Sequence, residues 1–190
     1  IPWSERGDLR VHGEYQLRHS QRAIGGGGGK DGWSAFRGGF RGDWVGADER
    51  STYTLQGDMF RSRAEQLQAA PQLTPPFSTL RSERVVSTGW NLLGRYTREV
   101  GDRSRFSAQA YVDHTLRRAR LLDDDFYAAD LELQLQTSPW DRLDLVVGGT
   151  YRRSLSKVTG SPQVTFDDSR RSDDRLSGFV QGQLTLVPDR

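Results

Sequence analysis

Residues 143–152 read LDLVVGGTYR, and this stretch decides the fold class. From Leu143 to Tyr151, every second residue is aliphatic, glycine or aromatic, whereas the residues between them include Asp144 and Arg152. Successive side chains of a β-strand point to opposite faces of the sheet, so a period of two separates these two sets. The stretch therefore predicts a strand with one apolar face and one mixed, polar face.

The same alternation extends over most of the chain. It is clearest in residues 106–113 and 127–136, where apolar residues stand at every second position. Applied to the whole sequence, it predicts eight strands of about ten to thirteen residues each. The predicted strands are Leu9–Gln21, Trp33–Val45, Ser51–Arg63, Thr88–Glu99, Ser104–Leu116, Phe126–Thr137, Leu143–Ser154 and Asp174–Val187.

The connections between these strands alternate in length. Tight polar turns rich in Gly, Pro and Asp are predicted at Gly46–Arg50, Val100–Arg103 and Ser138–Arg142. The other connections, which alternate with these tight turns along the chain, are longer and richer in Gly, Pro and charged residues. They are Ala23–Gly32, Ala64–Ser87, Arg117–Asp125 and Leu155–Asp173. The pattern predicts an antiparallel up-and-down sheet with one trimmed end and one elaborated end.

Strand length and aromatic positions favour a membrane barrel over a soluble sandwich. Strands of soluble proteins usually have about five or six residues, whereas about ten suffice to cross a bilayer when tilted. Outer-membrane barrels also place aromatic girdles at both interfaces. On the predicted apolar face, aromatic residues lie near both strand ends: Trp90, Tyr127 and Tyr151 towards the long connections, Trp44 and Tyr96 towards the short turns, with Trp140 in a short turn. The predicted fold is an all-β, antiparallel up-and-down transmembrane β-barrel segment of about eight strands.

Composition narrows the classes of protein to which this chain could belong. The mean hydropathy of −0.72 and the short apolar runs exclude a helical membrane protein, because a spanning helix needs about 20 mostly apolar residues. A barrel stays possible because only half of its strand residues face lipid. With 27 basic and 25 acidic residues the net charge is +2, so no nucleic-acid partner is expected. The absence of cysteine excludes a disulfide framework.

Turn-like sequences stand near both ends of the chain. Ser4–Asp8 resembles a short turn, and Pro188–Arg190 repeats the Asp-Arg pair that precedes two predicted strands. We therefore expect the chain to end where a ninth strand would begin, as a segment of a larger barrel. An open sheet edge is not tolerated in lipid, so either further strands exist or the eight close on themselves.

Two consecutive strands resemble the barrel strands of the TonB-dependent outer-membrane receptors. The first is Gly89–Arg98, GWNLLGRYTR, and the second, after a Gly-Asp turn, is Ser107–Asp113, SAQAYVD. Residues 54–58 and 129–134 share this resemblance, which covers most of the chain from about Gly38 onward.

The resemblance implies a barrel of about 22 strands in the outer membrane of a Gram-negative cell. It also implies an N-terminal plug domain in the lumen, energised by the TonB complex, and import of a scarce ligand such as a ferric siderophore, haem or cobalamin. No plug domain, TonB box or terminal aromatic residue is recognisable, so residues 1–190 are expected to form a partial barrel domain. The implied partners are outer-membrane lipid, the plug, the TonB complex and the ligand, with no cofactor.

Two other classes of protein remain open. A self-contained eight-stranded barrel with a structural or adhesion role would have its lumen packed by side chains. An outer-membrane enzyme or passive porin segment could use the same strand pattern, but no Ser/His/Asp or paired-carboxylate motif supports catalysis, so no enzymatic activity is expected. Pairing of the first predicted strand with the eighth would indicate the closed small barrel, and two free edges would indicate a segment.

Ligand contacts are expected at the elaborated end, because function in such barrels lies in loops positioned by a rigid wall. The longest connection, Ala64–Ser87, contains three prolines and an aromatic residue. The candidate ligand-binding residues, all assigned to external loops, are Trp33, Phe77, Leu80 and Arg81.

Other motifs have simpler structural explanations. Gly25–Gly29 with Lys30 lacks the spacing of a phosphate-binding loop, so a flexible external loop is predicted. The three histidines are far apart, so no metal site is expected, and Asp123–Asp125 is more typical of a solvated loop than of a calcium site. Charges of both signs on the predicted lumen face suggest cross-strand ion pairs. These lumen residues are Arg10, His12, Glu14, Gln16, Arg18, Arg95, Asp113, Asp130, Glu132, Asp144 and Arg152.

Overall fold

The structure, a computed structural model, describes residues 2–4, 6–22, 26 and 28–186. They form one antiparallel sheet in which each strand pairs with its neighbours in chain order. The strands are β1 Pro2–Ser4, β2 Gly7–Arg18, β3 Trp33–Val45, β4 Ser51–Pro71, β5 Ser78–Val100, β6 Ser104–Arg118, β7 Leu122–Trp140, β8 Leu143–Gly160 and β9 Arg170–Leu184. The predicted all-β, up-and-down segment of about eight strands is confirmed, with the short β1 in addition. Within the described ranges, no helix is long and apolar enough to cross a membrane.

Most strands are longer than predicted at the elaborated end of the sheet. The predicted bounds of β3 are correct, but β4 continues to Pro71 and β5 begins at Ser78. The Ala64–Ser87 connection was predicted as a loop, and this was wrong, because most of it is a β-hairpin with its turn at 72–77. Apolar alternation weakens there, whereas the backbone hydrogen bonds that define a strand require no apolar side chain.

This hairpin projects beyond the wall. β3 last pairs with β4 at Ala64, and β6 last pairs with β5 at Val86. Residues 65–71 and 78–84 form a strand ladder only with each other and, with the turn between them, form what we call the β4–β5 arm. At the base of the arm, the Glu65 backbone N–H donates to the Gly32 carbonyl at 2.8 Å. Its seven residue pairs extend about 20 Å at the rise of a β-strand.

The trimmed end also differs in detail from the prediction. Ser138 and Trp140 belong to β7, whose register shifts between Thr137 and Trp140, so the predicted turn at Ser138–Arg142 is reduced to residues 141–142. Trp140 therefore lies at a strand end, where its side chain is 67% exposed. The last strand was predicted to continue to Val187, but β9 ends at Leu184. The turn predicted at Pro188–Arg190 lies outside the described residues.

The strand registers confirm the predicted apolar face. Direct partners in an antiparallel pair share a face, and Leu133 pairs with Ala108 on β6 and with Gly149 on β8. The same register relates all the strands from β2 to β9. The apolar face includes Leu9, Val11, Phe40, Leu55, Met59, Leu92, Val112, Leu131, Leu133, Val147, Leu176 and Val180.

This apolar face is exposed rather than packed. Val11 is 71% exposed and Leu176 is 82% exposed, and among the described residues only Val85 and Ala128 are buried hydrophobic residues. A single curved sheet has no second layer, so the apolar surface must be covered by something other than this segment of chain.

Aromatic clusters border the apolar face at two levels. Near the short turns, Trp44 stacks on Tyr53 with ring centroids 5.6 Å apart, and Tyr53 lies 5.2 Å from Tyr96. Near the long connections, His114 stacks on Tyr127 at 3.9 Å and lies 6.1 Å from Trp90. The two levels lie about 20 Å apart along β5, at the rise of a β-strand. These positions agree with the predicted girdles for Trp44, Tyr96, Trp90 and Tyr127. Tyr151 belongs to neither cluster, because it pairs in register with Leu131, one row from the Tyr96 row.

The sheet has two free edges among its described residues. Pairing runs in order from β1 to β9, with no ladder between β9 and either β1 or β2 within the ranges described. Every residue of β9 is exposed. The segment is therefore an open, two-faced wall.

Candidate functional site

The polar face of the wall is the candidate functional surface. Direct partners in an antiparallel pair share a face, and the registers place all of the predicted lumen residues on this polar face. Arg152, for example, pairs in register with Asp130 on β7 and with Arg175 on β9. The face carries charges of both signs from β2 to β9.

A side-chain contact across three strands depends on a glycine. His12 Nε2 on β2 lies 3.3 Å from Asp58 Oδ1 on β4, and Arg37 lies 3.8 Å from the same oxygen. Gly39 stands between His12 and Asp58 in the same row, and a Cβ there would clash with both side chains. The absence of a side chain at Gly39 lets two groups on non-adjacent strands meet.

Other polar pairs hold side chains against the same face. Arg41 Nε binds Asp43 Oδ2 at 2.7 Å, and the Thr54 hydroxyl donates to Asp43 at 2.6 Å. Arg152 donates to Asp130 at 2.9 Å. Further along the wall, Arg95 donates to Gln109 at 2.8 Å. Arg152 and Asp130 thus form one of the predicted cross-strand ion pairs. The Arg41–Asp43 pair lies within a single strand, and Arg95–Gln109 is a hydrogen bond to a neutral side chain.

A buried carboxylate organises the elaborated end of this face. Glu83 on β5 is only 6% exposed, and it accepts hydrogen bonds from the backbone N–H of Arg120 and from Gln66 Nε2. The short connection at 119–121 is thereby held against the base of the β4–β5 arm. Arg81 and Gln163 line a small cleft beside it.

The four candidate ligand-binding residues are not brought together. Trp33 begins β3 on the polar face, half-buried, and Arg81 is exposed on the polar face of the arm. Leu80 lies on the opposite face, and Phe77 lies in the turn at the tip with a φ of 61°. Their assignment to loops is correct for Phe77 and wrong for Trp33, Leu80 and Arg81, which lie in strands. Their roles in ligand binding stay predictions.

Glu83 and Arg120 are not among the residues that the sequence predicted for this site. A loop was expected at Glu83, so its position on the polar face beside Arg81 was not recognised. If the period-two alternation is continued through residues 78–87, it places Arg81 and Glu83 on one face. The contact with Arg120, 37 residues away in sequence, had no sequence signal.

The remaining motifs are an acidic run on β7 and a glycine run between β2 and β3. Asp123–Asp125 was predicted as a solvated loop, and this was wrong, because all three residues lie in β7 and pair with β6. Asp124 faces the polar side, whereas Asp125 faces the apolar side and binds His114 at 2.7 Å. Among the described residues, no group of three or more His, Cys, Asp or Glu could hold a metal ion. The glycine-run prediction falls partly on residues 23–25 and 27, which lie outside the described residues.

One long connection is tied at its base. Asp31 accepts hydrogen bonds from the Gln21 amide at 2.8 Å and from the Ser20 hydroxyl at 3.0 Å. The Gln21 hydrogen bond in particular lowers the pKa of the Asp31 carboxyl, since it favours the charged form. The carboxylate therefore closes the connection between β2 and β3 while it is ionised.

No protein-family model matches the sequence. No curated protein matches it either. Among solved structures, the chain is similar to one described as Copper transporter OprC, with a TM-score of 0.48 and 13% sequence identity over 96% of this chain. The chain spans 40% of the length of that transporter.

Proposed function

We propose that residues 1–190 form part of the barrel wall of a TonB-dependent outer-membrane receptor that imports a scarce ligand such as a ferric siderophore, haem or cobalamin. The observation that carries the proposal is the two-faced wall. One face is exposed, apolar and bordered by two aromatic levels, as a lipid-facing surface requires. The other is lined with ion pairs, as a water-containing lumen or a plug contact requires.

The free edges support a large barrel over a closed eight-stranded one. In lipid, unpaired backbone groups along β9 would be left without partners, so we propose that further strands complete the wall. On the polar face, the side chains of Arg41 and Arg152 are 50% and 45% exposed. A small barrel packs such side chains together inside its lumen, whereas these leave room for a plug domain.

In this proposal the ligand reaches the barrel at its elaborated end. The β4–β5 arm and the Glu83 cleft stand there, with Trp33 and Arg81 on the polar face and Phe77 at the tip. Leu80, on the other face of the arm, would contact ligand only outside the lumen. The plug and the TonB complex are the proposed partners at the lumen and at the periplasmic end.

Uptake by cells tests the proposal. The complete protein that carries this segment is expressed in Gram-negative cells with and without a functional TonB complex. Accumulation of labelled ferric siderophore, haem or cobalamin is then measured. We expect uptake of at least one of the three that requires TonB. The Arg81→Gln variant should weaken this uptake, and the matched arm variant Arg84→Gln, on the opposite face, should not.

Heat-modifiable migration of the outer-membrane fraction separates the parts of the proposal. A protein that migrates as a folded barrel but imports none of the three ligands would overturn the importer and favour the structural or adhesion barrel. A protein absent from the outer-membrane fraction would overturn the membrane location as well.

A further inference from the structure

We propose that a basic patch on the apolar face, at the elaborated end, binds the phosphate groups of membrane lipids. The patch consists of Arg61 and Arg63 on β4 and Arg118 on β6. The inference rests on the proposed membrane location, and it adds a lipid site to the wall. Its ligand class is a phosphorylated lipid whose acyl chains lie on the apolar face below.

The strand registers fix where the patch lies. Met59 and Trp90 are direct partners in the aromatic row that also contains His114 and Tyr127. Arg61 is two residues beyond Met59 on β4, and therefore lies on the same face, one row further from the apolar band. Arg63 lies in the next row. The cations thus begin where the aromatic row ends, at the depth at which a bilayer has its headgroups.

Arg63 and Arg118 lie in one row across three strands. Arg63 pairs in register with Val86, and Val86 pairs with Arg118. Two strand spacings separate these arginines by about 10 Å, and two residues along β4 separate Arg61 from Arg63 by about 7 Å. Three guanidinium groups therefore surround an area comparable to one lipid headgroup.

The three arginines are available to an external anion. All three are exposed, and among the described residues no carboxylate lies within ion-pair distance of any of them. The neighbouring Arg84 is neutralised by Glu65 at 3.5 Å, and Asp123 stands opposite Arg118 in register without forming an ion pair. The patch thus retains a net positive charge.

The opposite end of the same face is arranged differently. There the strands contribute Arg98, and Asp48 lies 3.6 Å from its guanidinium group while Tyr96 contacts it at 3.5 Å. A cation that already has a carboxylate partner attracts phosphate weakly. Among the described strand residues of this face, the arginines without a carboxylate partner therefore lie at the elaborated end, and we assign the phosphate-rich leaflet to that end.

Arginine suits this task for two physical reasons. Its planar guanidinium donates paired hydrogen bonds that match phosphate oxygens. Each cation near an anionic membrane surface strengthens binding by about fivefold. Three together should favour a phosphorylated lipid over its dephosphorylated form by roughly a hundredfold.

Lipid binding to the complete protein in mild detergent tests the proposal. The probes are diphosphorylated lipid A, the same lipid without its phosphates, and inorganic phosphate, each titrated and followed by native mass spectrometry. The test variant is Arg61→Gln/Arg63→Gln/Arg118→Gln. The matched control is Arg10→Gln/Arg117→Gln/Arg175→Gln, which removes three exposed arginines from the polar face of the same wall.

We expect wild type and control to bind the diphosphorylated lipid with equal affinity, and the test variant to bind it roughly a hundredfold more weakly. Inorganic phosphate should not displace the lipid, because it has no acyl chains for the apolar face. Equal affinities for the two lipid forms, displacement by phosphate at equal concentration, or an equal loss in the control would each overturn the lipid site.

Folding is checked on the same samples by heat-modifiable migration. If the triple variant does not fold, the single variants Arg63→Gln and Arg118→Gln are used. Each should bind the diphosphorylated lipid about fivefold more weakly than wild type. Failure of the lipid site in a protein that still imports ligand leaves the proposed function intact. Lipid discrimination in a folded protein without TonB-dependent uptake overturns the importer alone, and a wild type that does not enter membranes overturns both.

Discussion

Several glycines lie beneath aromatic rings of the neighbouring strand. A Cβ on Gly89 would clash with the Phe60 ring and lie 2.9 Å from the His114 carbonyl oxygen. Gly148 lies beneath Phe179 in the same way. Because glycine has no side chain, the aromatic ring of the neighbouring strand can lie flat over its backbone.

The first prediction concerns these glycines. We expect Gly89→Ala to destabilise the folded protein by about 1 to 3 kcal/mol, because Phe60 must move and the backbone contact is too short. A Cβ added to Gly94, on the same strand, would meet no atom within 4 Å. Gly94→Ala should therefore be neutral or slightly stabilising. Urea titration of the protein in lipid vesicles measures both, and equal losses would show that Phe60 does not constrain Gly89.

The second prediction concerns a neighbouring pair on β7. Leu133 is 45% exposed on the apolar face, and Gln134 faces the polar side. Leu133→Arg places a charge towards lipid near mid-strand, and we expect it to reduce the free energy of folding into vesicles by about 2 to 4 kcal/mol. Gln134→Arg should be nearly neutral. Equal effects of the two substitutions would contradict the assigned faces.

At the scale of elements, the β4–β5 arm depends on contacts that differ from those of the wall. Beyond Ala64 and Val86, neither of its strands has a third strand beside it. A two-stranded hairpin is only marginally stable in water. The connection at 119–121, held by Glu83, supports the base of the arm from the polar side.

The third prediction tests this support. Glu83→Ala removes the acceptor of the Arg120 amide, and we expect local opening to become easier by about 1 to 3 kcal/mol. Hydrogen exchange at Arg120 and through the arm should accelerate accordingly. The matched variant Glu65→Ala removes an exposed ion pair with Arg84 at 3.5 Å, worth about 0 to 1 kcal/mol. Unchanged exchange at Arg120 in Glu83→Ala would mean that other contacts hold the connection.

At the scale of the whole molecule, the wall has two chemically different faces. The apolar face has its aromatic levels and basic patch at fixed depths, and the polar face has ion pairs across its strands. Because adjacent residues of each strand belong to different faces, the accessibility of neighbouring positions should alternate along every strand.

The fourth prediction measures this alternation directly. The chain contains no cysteine, so single cysteine variants report without interference. In the complete protein in membranes, a water-soluble maleimide should label Glu132→Cys and Gln134→Cys but not Leu131→Cys or Leu133→Cys. Labelling of Leu131→Cys and Leu133→Cys instead of the other two variants would show that the two faces are assigned the wrong way round. Protection of all four positions would favour a small barrel with a packed lumen.

Local patterning and pairing contribute differently to this fold. The alternation in LDLVVGGTYR and its equivalents was enough to predict the strands, their faces and the two aromatic levels, because the period of two is a property of each strand alone. The bounds of β3 were also correct. Resemblance to receptor strands added a function that stays a proposal.

Pairing between distant segments decided the rest. The extension of β4 and β5 into the arm, the approach of His12 to Asp58 over Gly39 and the contact of Glu83 with Arg120 all join residues far apart in sequence. The same register placed Leu80 and Arg81 on opposite faces and gathered Arg61, Arg63 and Arg118 into one patch. Such groupings follow from which strand lies beside which, and a one-dimensional pattern does not contain that information.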